Sequence, residues 1–240
     1  MKVLRISAAI VAVTAGLGPA ADSSTTVAQD DFGVDLALVL AVDASGSIDD
    51  SEYALQRDGI AGAITDPAVF AAIKGGKHGA IAVTLVEWGT PGAPEQVVRW
   101  HIVGSTERAA DFAMDVRRAP RETQSWNAIG DGMELGIALI ASCGCNPVRK
   151  VIDVSGDNPD RRSQISSAAA RDQAVKAGIT VNALAILNDD RKGPSGRPWL
   201  VEIYEQEVIG GPGAFVIPAQ TRADFDRALR QKLIQEIASR

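Results

Sequence analysis

The stretch LALVLAVDASGS, residues 36–47, decides how this chain folds. Its first seven residues form a continuous apolar run, which is typical of a strand buried on both faces of a parallel sheet. Directly after this run come Asp43, Ser45 and Ser47, and their alternating positions bring three side-chain oxygens into one loop around Gly46. Such hard oxygen ligands of low total charge suit Mg²⁺ or Mn²⁺. An ordinary strand-to-helix turn uses the same residues as helix caps, so the short motif alone leaves both interpretations open.

Further apolar runs alternate with helical patterns along the rest of the chain. The predicted strands are Leu36–Val42, Ala80–Trp88, Gln96–Val103, Val148–Val154, Ile179–Ile186 and Ala214–Pro218, and the predicted helices lie near 50–65, 106–118, 127–141, 160–177 and 221–238. A turn-rich spacer between the second and third strands indicates a hairpin. We therefore predict an α/β fold, a three-layer, doubly wound, mostly parallel sheet of about six strands with one antiparallel edge strand and helices on both faces.

A second acid, Asp157, follows the predicted strand Val148–Val154 in another turn of Ser, Gly and Asp. In an open doubly wound sheet, the first strand usually lies beside the strand that starts the second half, and ligands bind at their carboxyl ends. If these two strands are neighbours, Asp43 and Asp157 face each other across that crevice. The loop at 123–127, which reads Thr-Gln-Ser-Trp-Asn, opens the next helix and provides a third set of oxygens.

The pattern Asp43-x-Ser45-x-Ser47 after a hydrophobic strand resembles the metal-ion-dependent adhesion site of von Willebrand factor A (VWA) domains. The order of predicted elements resembles that fold over residues 33–240, which we expect to form a single VWA-like domain. Two local strings further resemble an exported bacterial family of that superfamily, domain-of-unknown-function family 1194; they are residues 151–157 and 208–216.

The resemblance implies a divalent cation that Ser45 and Ser47 hold directly, while Asp43 and Asp157 act mostly through bound water. The cation would be Mg²⁺ or Mn²⁺, with Ca²⁺ as a further candidate, because oxygen ligands suit all three. A carboxylate from a partner protein would complete the coordination shell.

One position departs from the superfamily pattern. A Thr normally precedes the Ile-Gly pair that opens the helix, whereas this chain has Asn127 in that register. An Asn carbonyl can ligate a hard cation, although its longer side chain shifts the geometry. Ser125 is the nearby substitute if the loop is rearranged.

The beginning of the chain has the features of an export signal. Residues 1–28 combine two early basic residues with an apolar run of about a dozen residues, which is shorter than the roughly 20 that span a bilayer. Small residues offer cleavage after Ala20 or Ala28. We therefore predict a periplasmic or secreted protein without stable membrane insertion.

Composition excludes several function classes. The formal net charge of -6 and the aromatic content of 5% argue against nucleic-acid binding.

The neighbouring Cys143 and Cys145 are better explained as two thiols or a local clip than as a redox pair, because such a short loop strains a disulfide. His78 and His101 are far apart in sequence and are interpreted as surface or strand residues.

Three functions fit these observations. The leading hypothesis is a non-enzymatic module that uses its cation to engage an acidic group of a partner protein. The Asn127 departure motivates a second one, a metal-free interaction module with the same fold. The third is a metal-dependent hydrolase or phosphatase with Asp43 as nucleophile. It is disfavoured because Ser45 stands where a haloacid-dehalogenase-type enzyme needs an acid.

Trp126, beside the third loop, belongs either to the core or to the rim of the site.

Overall fold

The computed structural model describes residues 33–46, 48–121, 124–221 and 224–239. The predicted signal peptide, Ser47 and Thr123 lie outside these ranges. Within them, the strands are β1 (Val34–Asp43), β2 (Ile81–Trp88), β3 (Glu95–Val103), β4 (Pro147–Gly156), β5 (Thr180–Ile186) and β6 (Val216–Ala219). The helices are α1 (Asp50–Ile64), α2 (Pro67–Lys74), α3 (Thr106–Arg118), α4 (Ile129–Ser142), α5 (Ser167–Lys176), α6 (Trp199–Glu207) and α7 (Phe225–Ala238).

The six strands form one sheet in the order β3-β2-β1-β4-β5-β6. Neighbouring strands are parallel except β2 and β3, which form an antiparallel hairpin at the edge. The register between β1 and β4 runs from Val34 opposite Pro147 to Val42 opposite Ser155. The predicted fold class, hairpin edge and pairing of the first strand with the fourth are therefore confirmed, and the carboxyl ends of β1 and β4 meet at one edge of the sheet.

Strand β1 shows why its sequence is apolar without interruption. Leu38 and Leu40 belong to the core on the side of the sheet that is covered by α1, α2, α3 and α7. Val39 and Ala41 point to the opposite core, together with Met133 of α4. Because successive strand residues face opposite sides, a strand covered by helices on both faces has no solvent-facing position for a polar residue.

Two short helices were not predicted. Helix α2 begins with Pro67, and the preceding Asp66 caps it by accepting the N–H of Ala68 at 2.8 Å. This combination of Asp cap and Pro at the first position is a recognisable start signal. Helix α6 has only nine residues and lacks a side-chain cap. Its N-cap position is Pro198, so it begins without the polar cap residue that marks α2.

The predicted bounds of the last two long helices were too wide. The stretch 160–166 is loop rather than helix, because α5 begins only at Ser167, after the N-cap Ser166. Helix α7 begins at Phe225, and its N-cap is Asp224, not Thr221.

A buried charge cluster ties α7 to the sheet. The ammonium group of Lys232 lies 2.5 Å from Asp153 of β4 and pairs also with Glu236 one turn along the helix. Asn182 of β5 donates a hydrogen bond to Glu236 at 2.8 Å. All three charged side chains are at most 1% exposed. Burial and the charge of Asp153 raise the pKa of Glu236 from 4.5 to about 7.

Other features of the described chain are structural. Cys143 and Cys145 form a disulfide, with 5.3 Å between their Cα atoms, so the local clip is the form present. His78 is exposed, and His101 contacts Asp115 at 3.0 Å. Within the ranges given above, none of the helices has the length and apolar character that crossing a membrane requires.

Candidate metal centre

The carboxylate of Asp43 lies at the end of β1, where it is 1% exposed. Its Oδ1 accepts the N–H of Ser45 at 2.7 Å, and Gln56 Nε2 donates to its backbone carbonyl at 3.1 Å. Its Oδ2 is buried and has no hydrogen-bond partner among the described residues. A buried carboxylate oxygen without a donor is costly, so this atom marks a position for a proton or a cation.

Asp157, which follows β4, is the neighbour of Asp43 across the crevice and is 5% exposed. Its Oδ1 accepts Asn158 Nδ2 and its Oδ2 accepts Asn188 Nδ2, both at 2.7 Å. Burial, followed by the negative charge of Asp157, raises the pKa of Asp43 from 3.8 to about 8. The predicted juxtaposition of the two acids is therefore present, and a positive charge between them would favour the ionised form of Asp43.

The third loop places Asn127 between the loop that follows β4 and the end of β2. The N–H of Arg161, in the loop after β4, donates to the carbonyl of Asn127 at 2.7 Å. The N–H of Ala128 donates to the carbonyl of Gly89, at the end of β2, at 3.1 Å. The side-chain Oδ1 of Asn127 is buried and has no hydrogen-bond partner within the described part of the chain. It is a second oxygen at this edge of the sheet that lacks a donor.

Two glycines allow the loops to approach each other. A Cβ atom on Gly89 would lie 2.5 Å from Cβ of Gln124 and 3.2 Å from Cα of Ser45. A Cβ atom on Gly46 would lie 3.3 Å from the carbonyl oxygen of Gln124. The loop after β1 therefore packs directly on the loop that precedes α4. Gly89 is needed for this close approach, while Gly46 makes a tight contact that a small shift would relieve.

The predicted ligands do not all have the same surroundings. Ser45 is buried beside Asp43, with 1% exposure. Ser125, by contrast, is exposed. Its N–H donates to the hydroxyl oxygen of Thr90 at 3.1 Å, and the two hydroxyl oxygens lie 3.3 Å apart. The structure therefore brings Asp43, Ser45, Asn127 and Asp157 to one edge of the sheet. It leaves Ser125 as the least suitable candidate.

Two nearby acids hold loops together. Asp131 accepts the N–H groups of Gly92 and Gln164, each at 2.7 Å, and Asp160 accepts the N–H of Gly130 at 3.3 Å. These contacts explain why the stretch 160–166 is not helical, since its backbone is held by side chains of other segments. In the ranges that the structure describes, no group of three or more His, Cys, Asp or Glu side chains could hold a metal.

Sequence reasoning missed Asn188, which follows β5 by two residues and orients Asp157. The sequence could have indicated this residue, because a polar residue at the carboxyl end of a third parallel strand lies in the same crevice.

The structure also resolves the position of Trp126, which is 42% exposed and stacks against Arg162, with 4.0 Å from Cζ to the ring centroid. Trp126 thus belongs to the rim of the site.

The fold is shared with several solved structures. Proximal thread matrix protein 1 from the mussel byssus has a TM-score of 0.63 at 13% identity, covering 86% of this chain and 49% of that chain. The pilus adhesin SpaC from Lactobacillus rhamnosus GG has a TM-score of 0.57 at 17% identity, covering 85% and 31%. A von Willebrand factor type A structure from Catenulispora acidiphila has a TM-score of 0.55 at 15% identity, covering 85% and 43%. This chain therefore spans at most about half the length of these neighbours, and at such identities the likeness shows a VWA-like fold.

No match was found among curated proteins. A family profile described as "Protein of unknown function (DUF1194)" matches residues 33–240, which include every strand and helix described above. The chain therefore belongs to the DUF1194 family and has a VWA-like fold.

Proposed function

We propose that this protein is an exported, non-enzymatic binding module that uses a divalent cation to engage an acidic group of a partner protein. The observation that carries the proposal is the pair of buried oxygens, Asp43 Oδ2 and Asn127 Oδ1, that lack hydrogen-bond partners among the described residues. They lie at the edge of the sheet where Asp157 adds a second carboxylate. A hard cation would satisfy these oxygens and would offset the repulsion between the two acids.

The residues that would hold the cation are those of the three converging loops. Ser45 and Ser47 would contribute their hydroxyls directly, Asp43 and Asp157 would act mostly through water, and Asn127 would offer its amide oxygen. Mg²⁺ or Mn²⁺ suits such a set, with Ca²⁺ as a further candidate. The bound cation would supply a positively charged position that accepts a carboxylate of the partner.

Two further observations support the proposal. Another structure of the mussel byssus protein, similar to this chain with a TM-score of 0.55 at 16% identity, has a zinc-occupied MIDAS motif. A second structural neighbour is a pilus adhesin. Export is inferred from the predicted signal peptide at residues 1–28.

Calorimetric titration with Mg²⁺ and Mn²⁺ after EDTA treatment tests the proposal. We expect the unmodified protein to bind one equivalent, the Asp43→Asn variant to bind none, and the Asp190→Asn variant to behave like the unmodified protein. Asp190 is an exposed acid in the loop after β5, so it controls for the lost charge. Equal affinity in the Asp43 variant would refute the site. If neither ion binds, even with excess acetate in place of the partner carboxylate, the metal-dependent proposal fails and the metal-free interaction module takes its place as the proposal to test.

A further inference from the structure

A stacked pair of side chains, Trp126 and Arg162, lies directly beside the candidate metal centre. Trp126 is 42% exposed, and the guanidinium of Arg162 lies 4.0 Å above its ring. Trp126 precedes Asn127 in the chain, and the N–H of Arg161 donates to the carbonyl of Asn127 at 2.7 Å. The pair thus joins two of the loops that form the site, and it faces solvent.

The loop that carries Arg162 is held in place on both sides. Arg162 has a φ of 65°, a left-handed backbone conformation that residues other than glycine seldom adopt. Just before it, Asp160 accepts the N–H of Gly130. Just after it, the N–H of Gln164 donates to Asp131 at 2.7 Å. The backbone on both sides of Arg162 is thus anchored, and from this loop the guanidinium reaches over the indole.

The two neighbouring arginines differ from most others in this protein. Within the part of the chain that the structure describes, nine arginines lie within 4.0 Å of a carboxylate. Arg161 and Arg162 are exposed, and neither has a carboxylate partner among the described residues. In a chain with a formal net charge of -6, two adjacent arginines that lack a carboxylate partner in the described ranges form a local anion-accepting patch. A guanidinium that stacks on an aromatic ring still directs its N–H groups outward in its own plane, where a carboxylate can bind them.

We infer that Arg161 and Arg162, supported by Trp126, form a second carboxylate-binding contact next to the cation. The partner is accordingly an acidic protein segment with at least two acidic side chains. One binds the cation, and another binds the arginines. The inference rests on the proposed function for the first of these contacts. The overall negative charge of the protein disfavours a nucleic-acid partner for the same patch.

Binding of short peptides tests the inference. One probe carries a single aspartate among glycines, and a series of probes carries two aspartates at varied spacing. With Mg²⁺ present, we expect the best two-aspartate peptide to bind about fivefold more tightly than the single-aspartate peptide, as one exposed ion pair allows. The double variant Arg161→Ala/Arg162→Ala should lose this advantage and keep its affinity for the single-aspartate peptide.

Arg118→Ala is the matched control, because Arg118 is exposed on α3 and has no carboxylate partner in the described ranges. It should leave both affinities unchanged. The inference is overturned if the protein does not prefer any two-aspartate peptide, or if the double variant keeps the preference. Failure of the proposed function gives a different result, since the single-aspartate peptide would then bind no better with Mg²⁺ than with EDTA.

Discussion

Replacing Asp43 with Asn should stabilise the metal-free protein while it abolishes cation binding. The amide has the shape of the carboxylate, and its Oδ1 can still accept the N–H of Ser45, which lies 2.7 Å from the Asp43 oxygen. Its Nδ2 would occupy the position of the Oδ2, which has no hydrogen-bond partner among the described residues, and could donate to Asp157. Most substitutions at buried, hydrogen-bonded positions are destabilising, so a gain in stability is an informative sign.

The magnitude follows from the pKa of Asp43, which the fold raises from 3.8 to about 8. Between these values the native state binds a proton that the unfolded chain does not, so stability falls as the pH rises through this window. From pH 3.8 to pH 7.5 is about 3.7 pH units, and at ~1.4 kcal/mol per pH unit the loss of stability has an upper limit on the order of 5 kcal/mol. Asn cannot ionise, so the variant should gain several kcal/mol over the unmodified protein in EDTA at pH 7.5. The gain should vanish near pH 4.

Urea unfolding followed by circular dichroism measures this difference. In EDTA at pH 7.5, the midpoint of the Asp43→Asn variant should exceed that of the unmodified protein, while Asp190→Asn should leave it unchanged. Added Mg²⁺ should raise the midpoint of the unmodified protein only, because a ligand stabilises the state that binds it. A variant that is less stable in EDTA, or that Mg²⁺ stabilises as much as the unmodified protein, would refute the reasoning.

The pKa of Glu236 is raised from 4.5 to about 7, so between these pH values the native state holds a proton that the unfolded chain has lost. The protein should therefore lose about 3 kcal/mol of stability as the pH rises from 4.5 to 7. In the Glu236→Gln variant, the urea midpoint should no longer fall over this pH range; a midpoint that falls as steeply as in the unmodified protein would contradict the prediction. Asn188→Ala removes the amide that binds Asp157 at 2.7 Å, so Mg²⁺ affinity measured by calorimetry should fall about 10-fold without loss of fold, and an unaltered affinity would show that Asp157 needs no support. Gly130→Ala would place a Cβ atom 1.9 Å from the carbonyl oxygen of Ile165, so we expect a loss of about 3 kcal/mol or more in thermal unfolding. An unchanged melting temperature would mean that this loop yields freely.

The parts of the fold that were predicted correctly depend on local patterns. Strand β1 is recognisable because burial on both faces requires an uninterrupted apolar run. The edge hairpin is recognisable because its spacer is rich in Gly and Pro. The pairing of β1 with β4 followed from the usual topology of doubly wound sheets. Each of these inferences needs only the residues of one segment and a general rule of topology.

The errors lie where distant segments decide the structure. The stretch 160–166 has helical composition, yet Asp131 of α4 takes the backbone N–H groups of Gln164 and Ile165. The burial of Lys232 was equally invisible, because it depends on Asp153 of β4 lying beneath α7. Neither partner is near in sequence.

For the candidate site, the sequence by itself determined that the carboxylates of Asp43 and Asp157 lie at the same edge of the sheet, because strand ends and turn residues are local features. Only the tertiary structure decided that Asn127 presents a buried oxygen that no described residue donates to, that Asn188 holds Asp157, and that Trp126 lies on the rim. These properties depend on how three loops pack against one another. Such packing is set by close approaches at glycines and by side chains that bind remote backbone groups, and no local pattern records it.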